Sequence, residues 1–173
     1  MRDVILNVTF DIDQDTQLLR WNFEADGKPI AGQGVETGLL AFQLADKLSV
    51  NVIAECKSSE YTADVHIDGC HFITIPRAFT KRENPERAGE FPEASPFNDY
   101  GAVISLGSGD CVGHPPTTVK LWQPDLPMQC DNLGRWELSM VLTTTITRNQ
   151  GGLTHREQRV FAFDPECEVG MGT

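Results

Sequence analysis

Apolar and polar residues alternate along most of this chain with a period of two, the pattern of strands that bury one face. The longest such run lies near the end, where Trp136, Leu138, Met140, Leu142 and Ile146 alternate with polar neighbours. Asn149-Gln-Gly-Gly152 follows and tolerates the positive φ angles of a turn. The chain returns through Arg159-Val-Phe-Ala-Phe-Asp164 and meets Pro165. A long hairpin is the reading. Val160 and Ala162 join Trp136, Leu138, Met140 and Leu142 as its scaffold, and Phe161 and Phe163 are not expected to share that face, so one of them packs elsewhere or both cover the opposite face against a loop. Such a hairpin needs a second sheet over its apolar side.

Earlier segments repeat the pattern. Val4, Leu6, Val8, Phe10 and Ile12 give a first strand with a clean inward face. Leu18 to Glu24 gives a second, with Leu19, Trp21 and Phe23 together. Leu39 to Lys47 suits a helix by propensity and a strand by context, and the strand is preferred. Leu48 to Cys56 is a strand turned inward at Leu48, Val50 and Val52. Asp68-Gly69, between two alternating runs, predicts a two-residue type I′ turn within Thr62 to Ile75. That turn would place Val65, Ile67, Cys70 and Phe72 on one face and oppose His66 to His71 on the other, with Asp64 alongside. Tyr100 to Leu106 and Thr118 to Gln123 are further strands, and the tail after Pro165 reads as extended or frayed.

Two stretches lack any period. Pro76 to Asn98 holds four prolines and mixed charges, and Gly107 to Pro116 is rich in glycine and proline. Loops this long in a compact domain are usually functional or mobile. The sum is an all-β chain of eight or nine strands. It predicts an antiparallel β-sandwich, an immunoglobulin-like or jelly-roll-like Greek key with long loops and little helix. One domain covers residues 1–173, with an irregular excursion at 76–99.

Composition narrows the function classes. Fourteen Lys and Arg against twenty-five Asp and Glu give a net charge of −11. That charge disfavours nucleic acid and anionic membranes as partners. No run has the length of a membrane span, and the alternating N-terminus has no signal-peptide core, so a cytoplasmic location, or export without a cleaved signal, is expected. Five widely spaced cysteines without a Cys-x-x-Cys read as reduced, mostly buried thiols.

Candidate chemistry is sparse. If the Asp68-Gly69 turn forms, His66 and His71 with Asp64 could share a divalent metal; two solvent-facing histidines on a polar sheet face are the plainer reading. Asp11-Ile-Asp-Gln-Asp15 opens like a calcium loop, but Thr16 and Asn22 stand where an EF-hand needs glycine and glutamate. Asp110-Cys111 with His114 offers a thiol and a base, without the geometry that nucleophilic catalysis requires. Gly32-Gln-Gly34 and Gly107-Ser-Gly109 are too short for phosphate cradles. Trp21, Trp122 and Trp136 lie on strands, where core packing competes with an aromatic binding platform. No catalytic residues emerge.

The order of these features resembles the inclusion-body protein family of bacteria (the PixA/AidA-like group). The likeness rests on a start directly on a strand, an Ile30-Ala-Gly-Gln33 segment before Leu39–Ile53, a proline-bearing loop after the middle hairpin, and Phe161-Ala-Phe-Asp-Pro165 near the end. Phe163 stands where the family usually has Trp. The resemblance implies a small cytoplasmic β-sandwich that can accumulate in inclusion bodies, associated with host interaction or cell-density regulation, with no catalytic residues to carry over. The expected function is therefore a non-enzymatic structural or interaction protein, meeting a protein partner or a second copy as a homo-oligomer. The alternatives are a small-ligand (sugar-like) or metal-binding sandwich, and a hydrolase built on His66, His71, Asp64 or the Asp110–His114 loop.

Overall fold

A computed structural model of the chain describes residues 1–30, 39–82, 84–97, 101–114, 118–126, 128–163 and 166–170. Thirteen strands and no helix lie among them: β1 (Asp3–Asp11), β2 (Arg20–Ala25), β3 (Lys28–Pro29), β4 (Leu39–Gln43), β5 (Lys47–Glu55), β6 (Thr62–Arg77), β7 (Val103–Asp110), β8 (Val112–His114), β9 (Val119–Trp122), β10 (Met128–Gln129), β11 (Gly134–Gln150), β12 (Leu153–Phe163) and β13 (Glu166–Gly170). The first sheet runs β3-β2-β1-β5-β9-β8, with β10 also on β5; the second runs β4-β13-β11-β6-β7, with β12 also on β11. Most pairs are antiparallel, but β1 with β5 and β4 with β13 are parallel.

The two sheets bury one continuous apolar cluster between them. Val4, Leu6, Val8, Phe10 and Ile12 are fully buried, as their alternation predicts, and so are Leu48, Val50 and Val52. Strand β4 takes the strand reading of Leu39–Lys47 over the helical one. In the closing hairpin, β11 pairs with β12 from Met140–Phe163 to Gln150–Leu153, and Gly151 and Gly152 turn the corner with φ of 55° and 81°.

The face of β12 is the reverse of the sequence expectation. Phe161 and Phe163 both point inward, while Val160 is exposed. Residues two apart share a strand face, and aromatic partners in the first sheet select this face: Phe10 stacks on Phe161 at 4.5 Å and Trp21 on Phe163 at 6.1 Å. Burying each phenylalanine stabilises by about 1.5–3 kcal/mol, more than Val160 and Ala162 together would gain from the opposite choice.

Asp68-Gly69 forms no hairpin. Strand β6 runs unbroken through it for 16 residues. The pairs Gly69–Thr143 and Ile67–Thr144 leave Asp68 as the extra residue of a β-bulge. The bulge shifts the inward set from Val65 and Ile67 to Cys70 and Phe72, so these four do share one face, for a different reason than the turn. The Thr145 hydroxyl donates to the Asp68 carboxylate at 2.8 Å, fixing the bulge.

Both long loops are also more ordered than their composition predicts. The end of the 78–97 excursion lies against the second sheet. Trp136 Nε1 donates to the Glu93 carbonyl at 2.9 Å, the Thr74 hydroxyl to the Ala94 carbonyl at 2.8 Å and Asn132 Nδ2 to the Ser95 carbonyl at 3.0 Å. Phe97 is fully buried beside Phe72 and Phe42. The predicted loop from Gly107 begins instead as the end of β7, turns at buried Cys111 and continues as β8 in the other sheet. One stretch thus edges both layers. The tail after Pro165 is paired too, as β13 between β11 and β4. The Ile30–Gln33 segment beyond Ile30, Asp164-Pro165 and the Gly32-Gln-Gly34 motif lie outside the described residues. No described helix is long and apolar enough to cross a membrane.

Candidate functional site

At one end of the sandwich β1 finishes, β6 starts and the β11–β12 hairpin turns. The chain leaves β1 through a turn at residues 12–16 whose carbonyl oxygens have no strand partner to supply N–H groups. Two arginines of the hairpin satisfy them. Arg148 Nη2 donates to the Ile12 carbonyl at 2.7 Å. Arg159 donates from Nη1 to the same carbonyl at 3.1 Å and from Nη2 to the Gln14 carbonyl at 2.6 Å. Planar guanidinium groups with several donors suit this multidentate task.

The same arginine organises the side chains. Arg148 Nη1 donates to Glu157 at 2.7 Å, Nη2 reaches Asp13 at 3.3 Å, and its guanidinium lies 5.6 Å from the centre of the Tyr61 ring. The Tyr61 hydroxyl donates to the other oxygen of Asp13. Burial and the Asp13 hydrogen bond raise the Tyr61 pKa, against the opposing pull of Arg148. The Arg148 pKa is also raised: burial disfavours its charge, but Glu157, Tyr61 and Asp13 outweigh that. Tyr61 therefore keeps its proton and Arg148 its charge, so this wall is a rigid polar surface.

Between this wall and the hairpin tip lies an open cavity of about 650 Å³, lined by Asp13, Glu60, Tyr61, Arg148, Gln150, Leu153, Thr154 and His155. Its size is that of a small-molecule site. Sequence reading passed over Tyr61, Arg148 and Arg159, each ordinary alone. The available signal was the acidic Asp11–Asp15 turn, which needs counter-charge in a chain with few cations.

The residues singled out from sequence fare differently. His66 and His71 are five positions apart on one continuous strand, so at about 3.3 Å per residue they cannot face each other across a turn. His66 Nδ1 meets Asp110 at 2.6 Å, Asp64 accepts from Lys120 at 3.5 Å, and His71 stands opposite Val141 and Ser105. Among the described residues no three His, Cys, Asp or Glu side chains converge as metal ligands. The Asp11–Asp15 turn is occupied by cations already: Lys57 Nζ lies 3.2 Å from Asp11, and the arginines take the carbonyls a calcium ion would use.

Cys111 is buried at the corner between the sheets, and burial pushes its thiol up to about 12, the reverse of what a nucleophile needs. Asp110 turns to His66 instead, and the side chain of His114 is outside the described residues. Trp136 and Trp122 are buried and Trp21 is half-buried against Phe163, which removes the aromatic platform.

The chain matches no family model, and no curated protein matches it.

The outer faces of the two sheets differ in chemistry. The first carries a hydrogen-bonded ladder in which Asn7 Nδ2 donates to Glu24, Asn51 Nδ2 to Asn7 and Gln123 Nε2 to Asn51. The second carries an uncharged band across four strands. Its rows are Val103–Ile73–Ser139, Ser105–His71–Val141–Ala162 and Gly69–Thr143–Val160, with Val103 and Val160 exposed. Charges border it, with the Arg77–Glu137 ion pair at one end and Asp110 at the other.

Proposed function

We propose that this protein is a non-enzymatic interaction module that associates with a second copy of itself through the outer face of the second sheet. The uncharged band carries the reading. At a net charge of −11 two copies repel each other, and a surface without charge and with exposed β-branched residues is where that repulsion costs least and apolar burial gains most. Four strands spaced by about 4.8 Å give a patch smaller than a standard stable interface, so the association belongs to the weak, transient class. The reading is compatible with what the resemblance to inclusion-body proteins implies, a small cytoplasmic sandwich that can accumulate in inclusion bodies.

Light scattering coupled to size-exclusion chromatography over a concentration series tests it. The natural protein should gain mass with concentration, and Val141→Arg, which places a charge in the centre of the band, should remain monomeric. A natural protein that stays monomeric at the highest concentration overturns the proposal.

A further inference from the structure

We infer that the cavity at the hairpin end binds a small organic cation, a primary ammonium or guanidinium group on a short apolar stem. Its two walls differ in how far their polar groups are committed. The wall of Asp13, Tyr61 and Arg148 is tied together and tied to the 12–16 turn, so it cannot reorient to meet a ligand. Opposite it, the carboxylate of Glu60, the amide of Gln150 and the imidazole of His155 make no side-chain hydrogen bond or ion pair among the described residues, yet all three line the cavity. The fixed wall keeps its shape when a ligand binds, and the three free groups opposite it can turn to meet the ligand at the cost of their own ordering.

The charge of these groups sets the class of ligand. The lining holds two carboxylates against one guanidinium, and that guanidinium already serves Asp13 and, outside the cavity, Glu157. The uncommitted charge is thus the Glu60 carboxylate. An anion would find no uncommitted cation, since the Arg148 charge already faces two carboxylates, Asp13 and Glu157. A cation would find Glu60 for its charge, the Gln150 oxygen as a further acceptor, and the Tyr61 ring with exposed Leu153 for an apolar stem. The net charge of −11 raises the local concentration of such ligands. A free amine and the basic side chain of a peptide share this chemistry.

Backbone amide NMR with n-butylammonium and agmatine as probes, against butyrate and 1-butanol, tests the assignment. The cations should shift the amides of Glu60, Tyr61, Leu153 and His155, with saturation that weakens as salt is raised. Glu60→Gln should weaken binding about fivefold, the upper range for an exposed ion pair. Glu86→Gln, which removes the same charge from the distant 78–97 loop, should leave it unchanged, and the spectra report whether each variant is folded. Tighter binding of Nα-acetyl-lysine N-methylamide than of butylammonium assigns the site to basic peptides; equal binding assigns it to free amines. Equal shifts with butyrate or butanol, no saturable shift with the cations, or equal losses in the two variants overturn the inference.

Discussion

Arg2 and Asp46 join the start of β1 to the turn before β5 through four contacts of 3.3 Å or less: the backbone N–H of Arg2 and its Nε reach Oδ1, while Nε and Nη2 reach Oδ2, the last at 2.6 Å. The Asp46 carboxylate also accepts from the backbone N–H of Gln43 at 2.8 Å and is fully buried. Its backbone takes part as well, for the Asp46 carbonyl accepts from the N–H of Cys130. One acidic residue thus satisfies donors from three segments.

Removing its carboxylate leaves the donors of Arg2 and Gln43 without an acceptor. Asp46→Ala is expected to destabilise the fold by about 3 kcal/mol, read from urea denaturation at neutral pH. Burial raises the Asp46 pKa, but the hydrogen bonds from Arg2 and Gln43 outweigh it and hold the group below the usual carboxylate range. A depressed folded-state pKa gives stability that is complete above the unfolded value, about 3.9, and is lost as pH falls through the folded one. The natural protein should therefore weaken steeply below about pH 4, and the alanine variant should show a shallower acid limb.

Among the described cysteines, the three buried thiols should be inert in the native state. Burial pushes Cys70, Cys111 and Cys130 each up to about 12. Iodoacetamide at mildly alkaline pH should label half-buried Cys56 ahead of them, and urea should expose all four of these thiols along with Cys167, as peptide mass spectrometry would read. Fast native labelling of Cys111 would restore it as a candidate nucleophile.

Trp136→Phe keeps an aromatic ring in the core but loses the donor to the Glu93 carbonyl. The expected cost is about 1–2 kcal/mol. The change should be local as well as global: amide exchange should accelerate over 93–97, where that carbonyl anchors the excursion, more than in β1 or β5.

Calcium offers a check on the acidic turn. Because Arg148, Arg159 and Lys57 already serve its oxygens, millimolar calcium should leave the melting temperature unchanged. Replacing Arg159 by Met should lower stability by about 1–3 kcal/mol through the unpaired Gln14 carbonyl.

Deleting Gly69 should be tolerated far better than substituting most single core residues. It removes the extra residue, so Ile67 and Cys70 come to lie two apart and Val65, Ile67, Cys70 and Phe72 keep one face in an unbulged strand, opposite Thr144 and Leu142 as before. A retained cooperative thermal transition is the expected outcome.

That last residue also marks where sequence reasoning stopped. Alternation alone located the inward faces of β1 and β5 and the closing hairpin, since a buried face leaves a period of two in the residues themselves. Asp-Gly, however, serves a tight turn and a bulge equally well. What decides between them is the 17-residue length of β11, which offers partners to β6 from Thr62 to Arg77. The orientation of Phe161 and Phe163 depends likewise on Phe10 and Trp21, about 150 positions away in sequence. The cavity was illegible for the same reason: Tyr61, Arg148 and Asp13 become one wall only when three separate segments end at the same place.

The parallel pairing of β4 with β13 has a consequence for how the molecule is made. Among the described residues, 39–43 find their strand neighbour in 166–170, so the second sheet stays incomplete on the ribosome while everything between is synthesised. During that interval β4 has no described strand beside it, and Phe42, which ends buried, has no paired strand to hold it against Phe23 and Phe97. Pairing across such a span is slow and leaves sticky edges exposed. A chain cut short before Glu166 should therefore accumulate as aggregate, even though it contains nearly all of the residues that form the core.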